Sequence, residues 1–80
     1  VDATSSLCLA EVHIGESWLG RKASDLADAT AGRVAFLTRY GQALLPDERT
    51  VIQEGDLVHL LFDPDRRDDV ERICEEILRV

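Results

Sequence analysis

Six residues, Leu57 to Phe62, are apolar except for His59 and lie between two turn-forming stretches, Glu54-Gly55-Asp56 before them and Asp63-Pro64 after. Such a run is too short for a core helix and has the character of a strand covered on both faces. It must sit inside a sheet, so the rest of the chain has to supply neighbouring strands and something to pack on them. With 80 residues there is room for one domain only. A chain of this length buries little more than ~60% of its unfolded surface, so a second copy is expected to add stability.

The neighbours can be read from period and turn chemistry. Between Leu7 and Ile14 the even positions Cys8, Ala10, Val12 and Ile14 are small or apolar and Glu11 and His13 fall on the other side, the pattern of a strand with one buried face. A connection over 15–23 follows, anchored by Trp18 and Leu19, with Gly20 allowing a bend before Arg21 and Lys22. Ser24 as N-cap, Asp25 in the first turn and Gly32 as stop predict a short helix over 25–31. Val34 to Leu37 is an apolar run that Tyr40-Gly41 turns back through 43–45 as a tight hairpin. Pro46 cannot donate to a ladder and ends that strand; residues 47–50 then carry the chain around, and Val51-Ile52 adds a short bridge before the central run.

At the C-terminus Val70, Ile73, Cys74, Ile77 and Leu78 recur at helical spacing. Asp63 is placed to cap this helix and Pro64 to occupy its first position, with Asp68–Arg72 and Glu75–Arg79 pairs on the outer face. The predicted order is strand-helix-strand-strand-strand-helix. This is an α+β fold of mostly antiparallel sheet with two helices, residues 1–6 forming a linker and 7–80 the domain.

A formal charge of −7 opposes both a nucleic-acid backbone and an anionic membrane surface. Cys8 and Cys74 form no CxxC pair and read as buried thiols, with the cytoplasm as default compartment. No apolar run reaches the ~18 residues of a membrane span, no export signal is legible, and a start at Val1 reads as a fragment of something longer. His13, His59, Cys8 and Cys74 show no metal-ligand spacing, and no metal is expected. Asp47, Glu48, Glu54 and Asp56 lack the regular oxygen positions of a calcium loop. Ser5, Ser6, Ser17 and Ser24 have no activating setting, and an enzyme is not expected. Trp18, Phe36 and Phe62 read as core, and Arg66-Arg67 as part of a charge network with the acids around them. Arg33 and Arg39 lie six apart in one strand; if it is regular they share a face and are placed to hold an anion together, the plainer alternative being solvated edge charges.

Three segments carry a resemblance. They are Ser17-Trp18-Leu19-Gly20-Arg21-Lys22; Val34-Ala35-Phe36-Leu37-Thr38-Arg39; and Leu45-Pro46 with Val51-Ile52-Gln53-Glu54-Gly55-Asp56-Leu57-Val58. In this order and spacing, over residues 9–76, the chain resembles the TrkA C-terminal (RCK_C) domain, the regulatory lobe of RCK proteins in Trk and Ktr potassium uptake. The resemblance implies a cytoplasmic, non-catalytic homodimer lobe. It would join a larger ring and act on a membrane potassium-transport subunit at the inner face of the cell membrane. NAD or ATP would belong to a separate N-terminal lobe, since no GxGxxG segment occurs here. Some relatives bind cyclic di-AMP between two such lobes, and Val34 and Pro46 match their apolar contact positions. Arg33 stands where a polar amide is expected, which leaves it either to pair a phosphate or to fill the pocket. Arg33, Val34, Arg39 and Pro46 are therefore the candidate ligand-binding residues. Two alternatives remain: a purely structural dimerisation module, and a regulatory lobe of another transporter such as a cation/proton antiporter.

Overall fold

The computed structural model describes residues 6–74 and, as backbone, 76–79. Strand β1 (Cys8–His13) leads through a 3₁₀ turn at Glu16–Trp18 to helix α1 (Ala23–Thr30). Strands β2 (Arg33–Arg39) and β3 (Gln42–Leu44) form a hairpin, and β4 (Leu57–Phe62) follows a long loop. A second 3₁₀ turn, Pro64–Arg66, opens into helix α2 (Arg67–Ile73), and β5 (Glu76–Arg79) ends the described chain. The five strands form one sheet in the order β3-β2-β4-β1-β5, every pairing antiparallel. The α+β class and the order of the six predicted elements hold, and a fifth strand follows them.

Most of the expected turn devices are present, one of them on a different residue. Tyr40 (φ 51°) and Gly41 (φ 77°) form a two-residue hairpin loop with both residues left-handed, the geometry that matches strand twist. At the end of α1 the left-handed residue is Ala31 rather than Gly32, and the Gly32 amide reaches back five residues to the Ala27 carbonyl at 3.0 Å. Gly32 is required for a different reason: a Cβ there would meet the Leu61 carbonyl oxygen well inside contact distance. The capping role expected of Ser24 is absent, because α1 begins at Ala23 with Lys22 as its cap residue. Asp63 does cap, accepting from the Asp65 amide at 2.9 Å with Pro64 in the first position.

The C-terminal helix is the main correction. It ends at Ile73, Cys74 turns extended (φ −93°, ψ 154°), and Ile77 lies opposite Val12 in β5. Spacing alone cannot separate a helix that continues to Leu78 from one that stops and re-enters as a strand. The free edge of β1 decides, since pairing there satisfies backbone groups that would otherwise face water. On α2, Arg72 pairs with Asp69 instead of Asp68. The predicted Glu75–Arg79 pair and residues 1–5 of the predicted linker 1–6 lie outside the described residues.

Both helices lie on the same side of the sheet. Strands β1 and β2 flank β4 and run parallel to each other, so β1-α1-β2 is a crossover over β4; β4-α2-β5 is likewise a crossover over β1. The two strand pairs point in opposite directions and the two crossovers step in opposite directions. Right-handed connections therefore place both helices on one face, and α1 and α2 touch. Ala10, Val12, Leu37, Val58, Leu60 and Phe62 pack under them against Leu26 and Val70, all at or near zero exposure. The central strand is thus covered on one face by helices, not on both as expected. Its other face is left to the sheet itself, where Leu57 and Leu61 are half-buried and Leu9 beside them is 49% exposed.

Candidate ligand groove

A groove of about 300 Å³ opens between the start of α1 and the loop that follows β3. Ala23, Ser24 and Ala27 form one wall, Pro46, Asp47 and Glu48 the other, and Arg33 and Val34 at the beginning of β2 complete it. Ala23 and Ala27 stand four apart on one helix face, and their small side chains leave the space that a Leu or Phe pair would fill. Pro46 follows two residues after the end of β3 at Leu44. Asp47 holds the turn that comes next, accepting from the Arg49 amide at 2.8 Å and from Thr50 Oγ1 at 3.1 Å, while its own amide donates to Thr50 Oγ1. Three of the four candidate residues, Arg33, Val34 and Pro46, come together here from positions up to thirteen apart in sequence.

Arg39 does not join them. Its Nε and terminal nitrogen donate to the two oxygens of Asp56 at 2.9 and 2.8 Å, and the same terminal nitrogen donates to the Val51 carbonyl at 3.0 Å. The separation of the two arginines has a visible cause. Val34 pairs with Leu60 but Phe36 pairs with His59, so Ala35 is an extra residue, a β-bulge that shifts the alternation by one. Arg33, opposite Leu61, and Arg39, in step with Leu37 and Val58, thereby leave the sheet on opposite faces. Arg33 is exposed and forms no ion pair among the described residues.

The Asp56 carboxylate is completely buried. Burial by itself would raise its pKa, but the hydrogen bonds from Arg39 and the Gln53 amide (2.9 Å), with the arginine charge, outweigh it and hold the carboxyl below its usual range. Arg39 is raised in turn, first by its hydrogen bond to Asp56. Sequence reading missed this partner, which is 17 residues away; the only signal was an acidic residue following the Gly55 turn. Elsewhere, Trp18 joins the core as expected and donates from Nε1 to the Ile73 carbonyl at 3.0 Å, with the Arg21 guanidinium 4.2 Å above its ring. On the helix-free face His59 stacks on Phe36 (3.9 Å between ring centres, 13° apart) and its Nε2 shares a hydrogen bond with Thr38 Oγ1. Cys74 is buried, which pushes its thiol up to about 11 and makes it a poor nucleophile.

Fold and groove together define a small α+β domain: a five-stranded antiparallel sheet, helices on one face, and an open groove beside the first helix. Residues 9–75 match the family model of the TrkA-C domain, and the chain belongs to that family. It is 50% identical over 72 residues to the Trk system potassium uptake protein TrkA of Streptomyces coelicolor. That alignment takes in 90% of this chain and 31% of the relative, so the chain spans about a third of the longer protein's length. Among the described residues no helix is long and apolar enough to cross a membrane.

Proposed function

We propose that this chain is the regulatory lobe of a Trk-type potassium-uptake protein, non-catalytic, working as a homodimer, and sensing an effector in the groove beside α1. The observation that carries the reading is the convergence of Arg33, Val34 and Pro46 on one groove in a chain of the TrkA-C family. The Streptomyces relative is named for potassium uptake, which supports a membrane potassium-transport subunit as partner and a place at the inner face of the cell membrane.

A groove of about 300 Å³ is at the small end of ligand sites, which run from roughly 300 to 1,000 Å³. A cyclic dinucleotide would need two of them, one from each copy. Cyclic di-AMP fits the chemistry: a phosphate for the free guanidinium of Arg33 and a base against Val34, Pro46 and the alanine wall. Asp47 spends its carboxylate on its own turn, and Glu48 at the rim is available to a base amino group. NAD or ATP belongs to a lobe outside this chain. Regulation then follows from linkage, because an effector shifts a gating equilibrium only by its difference in affinity for the two states, typically about 1–3 kcal/mol.

The test is a calorimetric titration with cyclic di-AMP, alongside a mass by light scattering. Saturable binding at one ligand per two chains, weakened at least tenfold in Arg33→Ala, is the expected result. A monomer at micromolar concentration would refute the paired site. The helix-free sheet face, with Leu9 and Leu61 beside Phe36, favours a second reading, a purely structural dimer through apolar strand residues. That reading predicts a dimer that neither takes up heat nor gains melting temperature with the nucleotide.

A further inference from the structure

One wall of the groove belongs to a segment with almost no regular structure. Between the end of β3 at Leu44 and the start of β4 at Leu57, the chain makes a single isolated bridge, Val51 with Lys22. The stitching around it runs to the start of α1: Gly20 donates to the Ile52 carbonyl, Ile52 to the Arg21 carbonyl and Ala23 to the Thr50 carbonyl, each at 2.9 Å. Ile52 is buried at 1% exposure. These partners, Gly20 to Ala23, all lie within three residues of the Ala23 wall, and the opposite wall, Pro46 to Glu48, is carried by the same loop.

The far side of the loop is held by one side-chain group. Arg39 grips the Val51 carbonyl and both oxygens of Asp56, and Asp56 in turn accepts from the Gln53 amide. A planar guanidinium can serve three acceptors at fixed angles, whereas a lysine ammonium is a point charge without the fork. Resting on the groove reading above, we infer that Arg39 and Asp56 form a positioning clamp: they fix the 45–56 loop against the start of α1 and so set the width of the groove, without contacting what occupies it. Arg39 contributes to ligand binding at a distance, through Val51 and the turn at Gln53, and is not among the residues that line the groove.

The experiment is native-state hydrogen exchange on the 80-residue chain, wild type against Arg39→Lys and Arg39→Gln. The amides of Gly20, Ala23 and Ile52 report the stitching, and those of the β1–β4 ladder report global unfolding. If the clamp opens with the loop, the stitching amides lose protection by the same factor as the ladder, at least tenfold in Arg39→Gln. If the pair breaks only on global unfolding, the ladder loses protection while Gly20, Ala23 and Ile52 exchange as in wild type, and the inference is overturned. Should Arg39→Gln not fold, Arg39→Lys carries the same comparison. Cyclic di-AMP titration of folded Arg39→Lys gives the second arm. An affinity reduced at least fivefold, with circular dichroism unchanged, supports positioning, and wild-type affinity contradicts it. No binding even to wild type would sink the ligand reading alone, leaving the exchange result to decide the clamp.

Discussion

Arg33 and Arg39 begin and end the same strand and differ in almost everything that matters energetically. Arg39 is tied to a carboxylate with no solvent access and keeps only 24% of its own side chain exposed. Arg33 stands at the rim of a groove with its charge unpaired among the described residues. One bulged residue, Ala35, separates their faces. The lesson is that a charge's role follows from what the fold places opposite it: a buried acid turns one arginine into a structural member, and open space leaves the other available for an outside anion.

The contrast is sharpest in stability. Arg39→Ala leaves the Asp56 carboxylate buried with only the Gln53 amide for company, and removing one member of a buried pair costs roughly 3–5 kcal/mol. Because Arg39 retains some contact with water, about 2–4 kcal/mol is expected in urea denaturation; a loss below 1 kcal/mol would show the pair to be dispensable. Next in size is a pH effect confined to the Arg39 end. The Asp56 carboxyl is held below its unfolded value, near 3.9, so the clamp's contribution is complete above that value and is lost as the pH falls through the lower, folded pKa. Wild type should therefore lose stability as the pH falls below about 4 more steeply than Asp56→Asn. Parallel slopes would assign acid sensitivity to other carboxylates. Smallest is Arg33→Ala, expected to change stability by no more than about 0.5 kcal/mol, as exposed substitutions do, while reducing affinity for an anionic effector. A loss above 1 kcal/mol would make Arg33 structural as well and would erase the comparison.

The parts of the fold that were legible have local causes. Tyr40-Gly41 announces a hairpin because two residues with positive φ are what a two-residue loop demands. Asp63-Pro64 announces a helix start because the acid caps and the proline needs no donor. Resemblance singles out Val34 and Pro46 as candidate contacts, and Arg33 follows from its position next to them. Arg39 stands apart from them for a physical reason: its partner Asp56 lies beyond a hairpin and a long loop, and its face depends on a bulge that no residue preference in Val34-Ala35-Phe36 reveals.

What the sequence determined by itself is where the chain turns, which stretches are apolar, and the α+β class, because period, turn residues and caps act over a few residues. Tertiary structure alone decided three things. The segment after Ile73 is a strand because β1 had a free edge to be paired. Both helices share a face because right-handed crossovers of opposite sense leave no other arrangement. The two arginines took different roles because contacts across 17 residues, the separation of Arg39 and Asp56, are fixed only when the sheet has brought their strands together.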